Sequence, residues 1–237
     1  VAVVASHRRE FDGIVRIAGS GSALDLPLDF ARSVTWELPG KGPVDWWLLA
    51  AGVGAAAAAR ACSVIPHPAR LDAIWSIGYC GATQPGFRAG DLLAAAEVRS
   101  AATGRCFPCL TPSVPAGSVA KGVVLTVDHI VRFASEKHHI GQQGVDAVEM
   151  EASAVAAFAA SHQAPFLALK AVSDTYEEEI PIDFDRARLA DGRMSARSIL
   201  AQTLRRPWAT VPGLRNLARS ARLASESIGQ AMVGISW

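Results

Sequence analysis

The sequence predicts an α/β protein, a three-layer α/β/α sandwich around a central mixed sheet whose strands run mostly parallel. Three observations carry that expectation. Short continuous apolar runs dominated by Ala, Val and Leu recur along the chain, the pattern of strands buried on both faces. They alternate with small-residue helical stretches, the order that a parallel sheet with covering helices requires. Half of the 237 residues are hydrophobic and mean hydropathy is +0.22, which suits one sizeable core and excludes a disordered chain.

The elements follow in order. Residues 1–5 are apolar and read as a first core strand, and Gly19-Ser20-Gly21-Ser22 as a turn. Alternation over 33–38 predicts a strand, followed by a hairpin-like break at 39–43 and a strand over 45–51. Gly52-Val53-Gly54 leads into an alanine-rich helix from 55 to about 63, stopped by Pro66. Residues 73–77 form another buried strand that runs into the turn Gly78-Tyr79-Cys80-Gly81. After a loop at 83–90, residues 91–98 read as a strand and 99–121, rich in Pro, Thr and Gly, as a loop. Strands follow at 123–127 and 145–148, then a small-residue helix at 151–161 and a strand at 166–172 that ends at Ser173-Asp174. This domain spans residues 1–204, and a basic tail occupies 205–237.

Composition narrows the classes. A net charge of +1 offers no electrostatic case for nucleic acid. No apolar stretch reaches the ~20 residues of a membrane span. Residues 1–5, followed by Ser6-His7-Arg8-Arg9-Glu10, are too short and wrongly flanked for a signal peptide, so a cytoplasmic protein is expected. The four cysteines include Cys106-Phe107-Pro108-Cys109, which lacks the second pair of a zinc site and the following helix of a redox motif. Reduced thiols and no bound metal are expected. Gly52-Val53-Gly54 matches part of a dinucleotide fingerprint, yet Asp72, at the right count, precedes its strand rather than ending it. The glycines are read instead as a tight strand-to-helix turn, and no cofactor is expected.

The chemistry concentrates where two strands end. Val148-Glu149-Met150-Glu151-Ala152 puts two acids ahead of a helix of small residues, and Ala171-Val172-Ser173-Asp174 places a third acid at the next strand end. Ligand sites of α/β sheets gather at such carboxyl ends. Glu149 and Glu151 could simply favour a helix N-terminus, but that reading does not predict Asp174. Asp128-His129 ends another strand, where Ile130 and Val131 could line a base pocket. His138-His139, in a polar stretch with Glu136 and Lys137, reads as solvated surface, as does the run Glu177-Glu178-Glu179.

These segments resemble the purine nucleoside phosphorylase and methylthioadenosine/S-adenosylhomocysteine nucleosidase superfamily. Val-Glu-Met-Glu-Ala-Ser-Ala-Val-Ala with Lys170-Ala171-Val172-Ser173-Asp174 resembles its paired signature. Ile77-Gly78-Tyr79-Cys80-Gly81-Ala82 with Phe87-Arg88-Ala89-Gly90-Asp91-Leu92 resembles its central Gly-rich turn, and residues 49–55 an earlier one. The matches run in family order over roughly residues 1–200. The Trp- and Ala-rich style and arginine-rich tail look most like the hopanoid-associated phosphorylase branch, associated with removing adenine from adenosylhopane to leave ribosylhopane.

The resemblance implies a nucleoside phosphorylase-like fold and cleavage of the bond between ribose C1′ and purine N9. Asp174 would protonate the leaving base with Ser173 orienting it, in surroundings apolar enough to retain its proton. Glu151 would accept the ribose hydroxyls and face the oxocarbenium-like sugar. Met150 would floor the ribose, with Glu149, Gly78 and Tyr79 among the substrate-binding positions. Alignment on the first strand puts Glu10 where nucleosidases of this family place a water-activating carboxylate, the two-acid logic of inverting glycoside hydrolysis. Phosphate-binding relatives have arginine at Ser76 and Ser or Thr at Tyr79, so hydrolysis is expected. Arg8 and Arg9 keep phosphorolysis, with phosphate as co-substrate, as the alternative. A non-catalytic nucleoside-binding module is the alternative of another class, and acids at all three positions argue against it. A homo-oligomer is implied as well.

The tail adds one expectation. Arg205 to Arg222 contains five arginines and no acid, with Pro207 and Pro212 breaking its start. From Leu214 to Met232 apolar residues recur at helical spacing, a basic amphipathic stripe that reads either as peripheral contact with a membrane lipid or as docking on the body.

Overall fold

A computed structural model describes residues 1–38, 42–112, 119–189, 192, 194–205 and 207–234. Its strands are β1 (Ala2–Ala5), β2 (Ser22–Ala23), β3 (Phe30–Leu38), β4 (Gly42–Ala50), β5 (Ile74–Ala82), β6 (Leu92–Ser100), β7 (Cys106–Pro108), β8 (Val119–Thr126), β9 (Ala147–Glu149) and β10 (Phe166–Asp174). The helices are α1 (Asp12–Ala18), α2 (Ala55–Ser63), α3 (Ala134–Gly141), α4 (Ala152–Ser161), α5 (Phe184–Ala187), α6 (Ala196–Arg205) and α7 (Pro207–Gly234), with a 3-10 turn at Arg8–Phe11.

The sheet is mixed and partly closed. β1 lies between β4 and β5, parallel to both, and β4 continues through antiparallel β3 to β2. β5 also pairs with β10 in parallel and with β9 antiparallel, while β10, β6, β8 and β9 pair in turn. Five strands therefore close a ring, from which β1, β4, β3 and β2 extend as a wing. β5 makes this closure possible by running on through the glycines expected to form a turn after Ile77. Its second half crosses to β9, with Gly81 opposite Val148. Glycine within a strand permits such a bend and a close approach from the side. The stretch expected to be loop at 99–121 is also partly strand, because Cys106–Pro108 adds to β6. The break expected at 39–43 falls largely outside the described residues.

Alternate side chains of the strands feed two main cores, with a third, smaller cluster around Val131, Ile140 and Val148. On one face α2 and α4 bury Ala58, Ala61, Val155 and Ala159 against Val4, Ile74 and Leu93. On the other, Phe11, Ile14, Ala224, Ile228 and Met232 pack on Trp46, Trp75 and Leu167. The latter set corrects the expected boundary at residue 204: α7 is part of the body. A Cβ on Gly13 of α1 would lie 2.0 Å from the Ser225 carbonyl oxygen, so α1 and α7 cross at backbone contact. Ser225 Oγ accepts from the Gly13 N–H at 3.0 Å and donates to the Arg9 carbonyl at 2.9 Å. The prolines do not break the helix as expected. Pro207 opens α7, where its missing N–H costs nothing, and Pro212 lies inside it, leaving the Trp208 carbonyl without a helical donor.

Candidate active site

Glu10, Glu151 and Asp174, from the three separate regions singled out in the sequence, line one cleft of about 210 Å³. Ser6, Tyr79, Ile130, Val131, Glu149, Met150 and Ser173 line the same cleft, as does His129. Gly78 does not line it but abuts the Glu10 carboxyl.

Two glycines of β5 seat two of the acids. Gly78 has φ +143°, and a Cβ there would stand 3.0 Å from Glu10 Oε1. A Cβ on Gly81 would stand 2.8 Å from Asp174 Oδ2. A larger residue at either position would push a carboxyl out of place.

The 3-10 turn turns Glu10 inward, where its carboxylate accepts from the backbone N–H groups of Ser6 at 2.7 Å, His7 at 3.1 Å and Tyr79 at 3.4 Å. Ser6 Oγ donates as well, at 3.1 Å. Burial pushes the Glu10 carboxyl above its ordinary range, and these donors together with the Lys170 charge oppose the shift. The result is a carboxyl more basic than usual, a property wanted in a group that takes a proton near neutrality.

Glu151 sits at the entry to α4, and its Oε1 accepts from the Gly54 N–H at 2.6 Å. That bond explains the backbone of the preceding turn: Gly52 and Gly54 both have φ near +100°, which presents the amide to the carboxyl. Burial, then the nearby Glu149, hold Glu151 up at about 8. A carboxyl raised this far keeps its proton more readily than an ordinary glutamate.

Glu149 serves the architecture more directly. Its carboxylate accepts from Thr126 Oγ1 at 2.5 Å and from the N–H groups of Glu151 and Ala152 at the start of α4. Lys170 Nζ lies 2.9 Å from its Oε2. With both oxygens engaged by the protein, Glu149 anchors the turn that presents Glu151.

Two buried lysines were not assigned from the sequence. Lys170 points under the cleft, donating to Ser76 Oγ at 2.9 Å as well as pairing with Glu149. The small Ser76 side chain thus leaves room for a lysine from the neighbouring strand. Lys137, expected on the surface, is completely buried and pairs with Asp174 Oδ2 at 2.5 Å. This corrects the apolar surroundings expected for Asp174, whose Oδ1 accepts from Ser173 Oγ at 2.7 Å. A signal was present in the sequence: Lys137 shares the face of α3 that carries Ile140 and Gly141, both buried. Its neighbour His138 stacks on Tyr176, ring centroids 3.9 Å apart, whereas Glu177, Glu178 and Glu179 are exposed as expected.

His129, at the mouth, is held between Asp128 Oδ1 at 2.9 Å and Glu136 Oε1 at 2.7 Å, and these bonds raise its basicity. Arg8 lines an adjoining hollow of about 410 Å³, and Arg9 is exposed. Among the described residues lining the cleft there is no arginine or lysine. A larger apolar hollow of about 530 Å³, walled by α2 and α4, meets the cleft at Val53 and Val127. No group of acidic, histidine or cysteine side chains able to hold a metal occurs among the described residues.

Residues 116–205 match the family described as the phosphorylase superfamily, which includes the segments bearing Glu149, Glu151 and Asp174. The chain is 26% identical over 187 residues to the 5′-methylthioadenosine/S-adenosylhomocysteine nucleosidase of Exiguobacterium sp., a match covering 67% of this chain and 79% of that relative. The structure is similar to the corresponding nucleosidase of Neisseria meningitidis in complex with methylthio-immucillin-A, at a TM-score of 0.63 and 19% identity over 97% of this chain and 98% of the other. It is also similar to the futalosine hydrolase of Helicobacter pylori, at a TM-score of 0.63 and 13% identity over 96% and 94%. The two structural likenesses establish the fold. The family match and the Exiguobacterium relative agree with the sequence resemblance to the nucleoside phosphorylase and nucleosidase superfamily.

Proposed function

We infer, for a chain with the signature and fold of the phosphorylase superfamily, that the cleft hydrolyses the N-glycosidic bond of an adenine nucleoside. The observation that carries this reading is the convergence of Glu10, Glu151 and Asp174 on one cleft. Asp174, oriented by Ser173, delivers a proton to N7 as the C1′–N9 electron pair passes to the purine. Glu10 takes a proton from the water whose oxygen bonds to C1′. Glu151 holds the ribose hydroxyls, Met150 floors the sugar, and Ile130 and Val131 flank the base. Separating a group that gives a proton from one that accepts it is the arrangement that acid–base cleavage of a glycosidic bond requires. A module that only bound nucleosides would have no use for three buried acids.

Water is favoured over phosphate because the cations near the reaction centre are committed elsewhere. Lys170 is buried beneath Glu149, and phosphate binding calls for charged donors aimed at the ligand. Arg8, in the adjoining hollow, is the feature that favours phosphorolysis as the second reading. No resident cofactor is needed in either case.

For the substrate we propose adenosylhopane, cleaved to ribosylhopane and adenine. The sequence resemblance to the hopanoid-associated branch supports this choice, and so does the apolar hollow that adjoins the cleft. The deciding experiment is incubation with adenosylhopane and, separately, with adenosine, each with and without phosphate, followed by mass analysis. Adenine and a phosphate-free sugar are expected. A phosphorylated sugar would overturn hydrolysis, and absence of adenine from both substrates would overturn the enzyme.

A substrate of this kind implies work at a membrane surface. No helix among the described residues is long and apolar enough to cross a bilayer. Of the stripe expected either to face lipid or to dock on the body, Ala224, Ile228 and Met232 are buried on the body, while outside it Leu200, Leu204 and Trp208 are 58%, 69% and 77% exposed. Residues 192–225 contain seven arginines and no acid, which suits an anionic surface. Contact with the inner membrane face through this corner is the proposal. Leu204→Glu with Trp208→Glu is expected to lower binding to anionic vesicles at least tenfold, measured by flotation, while adenosine cleavage is unchanged. Equal binding by the variant would sink it. We also propose self-association, supported by the family resemblance and by the exposed alanines Ala55, Ala56 and Ala59 along α2.

A further inference from the structure

Lys137 lies on α3 with no exposed surface. Its ammonium donates to Asp174 Oδ2 at 2.5 Å, to the Thr175 carbonyl at 2.8 Å and to the Glu178 carbonyl at 2.8 Å. All three protons are therefore used, and each goes to a different residue of one segment. A buried ammonium is tolerated only where such partners replace water. That segment leads to Ile180, a wall of the cleft, whose N–H in turn donates to the Arg132 carbonyl just before α3.

We propose that Lys137 is the positioning residue of this site, holding the Asp174 carboxyl at the cleft and clamping residues 175–180 as its wall. The part concerning the reaction rests on the reading of Asp174 as the acid. When the Asp174 O–H bond breaks and N7–H forms, a carboxylate appears 2.5 Å from an ammonium that keeps all its own protons. Attraction between them grows as the charge develops, so the lysine assists the transfer more than it assists binding of the nucleoside.

Other groups facing the pair leave Lys137 as the cation in contact with Asp174. From β5 comes Cys80, a thiol pushed well up by burial and by Asp174 itself, and hence neutral. From the segment come Tyr176 and Glu178, the latter bonded through its carboxylate to the Thr175 N–H at 2.8 Å. α3 contributes His138, stacked on Tyr176. α7 offers the uncharged Asn216, Leu217 and Ser220 at this point. Glu10, Glu149 and Glu151 share Lys170 across the cleft.

The test compares the wild type with Lys137→Met and Lys137→Arg. Lys137→Met is expected to lower kcat at least thirtyfold with KM within about threefold. Lys137→Arg keeps the charge and should restore kcat to within about fivefold of the wild type. A loss that falls equally on kcat and on KM, or that Lys137→Arg does not rescue, overturns the catalytic part. Amide exchange over 175–180 provides a readout independent of turnover, expected to rise at least tenfold in Lys137→Met. Unchanged exchange overturns the clamp. Should Lys137→Met fail to fold, Lys137→Gln, similar in length and uncharged, replaces it. A wild type that releases no adenine defeats the activity, while the exchange measurement still decides the clamp.

Discussion

Asp174→Asn is expected to slow adenine release by about 10²- to 10⁴-fold, the range associated with losing a positioned general acid. The amide keeps the shape of the carboxyl and can still accept from Ser173 Oγ, which lies 2.7 Å from Oδ1 in the wild type. It has no acidic proton to give to N7, so the bond to the base must break with negative charge left on the purine. Binding should suffer less, since in the proposed function the base also rests on Ile130 and Val131, which line the cleft. Steady-state kinetics with adenosine, together with calorimetry of adenine binding, separate the two effects. A variant that retains a tenth or more of the wild-type rate would place the acid elsewhere. The substitution also puts an amide where a carboxyl oxygen accepts from the buried Lys137, so a lower melting temperature should accompany the loss of rate.

Lys170→Met is expected to cost about 3–5 kcal/mol of stability, the usual consequence of removing one partner from a buried ion pair. For a chain of this size that corresponds to a fall in Tm of roughly 6–20 °C. Burial alone would depress the lysine, and the carboxylates of Glu149, Glu151 and Glu10 more than reverse that effect. Without the ammonium, Glu149 keeps Thr126 and two backbone donors but loses its cation, and the three carboxyls of the cluster face one another. Urea unfolding at pH 7 measures the change. A loss below about 1 kcal/mol would mean that the cluster redistributes its protons more cheaply than this geometry implies. Lowering the pH through about 8 should narrow the gap between variant and wild type. Burial raises Glu151 to about 8 in the folded state, so below that pH its carboxyl carries a proton in both proteins. A neutral Glu151 no longer needs the lysine.

Alternation of apolar strands with small-residue helices sufficed to place the architecture, because burial on both faces leaves a direct mark on residue type. The spacing of Glu149, Glu151 and Asp174 likewise announced a site at strand ends. The Gly78 to Gly81 stretch was read as a turn because glycine punctuates chains locally, and only the pairing of β5 with β9 shows it as strand. What makes those glycines necessary is not local either: they give space to carboxyls from residues 10 and 174.

Lys137 and Lys170 mark the limit of the same reasoning. A lysine's default is solvent, and what reverses it is a carboxylate or carbonyl brought close by folding. The tail shows the limit at larger scale, since an amphipathic stripe states that a face will be covered without stating by what. Backbone contact at Gly13 assigns the later half of that stripe to the body. The sequence by itself thus determined the layers, most of the order of elements and which acids lie at the strand ends, all consequences of side-chain polarity and chain-local geometry. Only the tertiary structure decided which charges meet and which surfaces stay open, because those depend on distances between residues far apart in the chain.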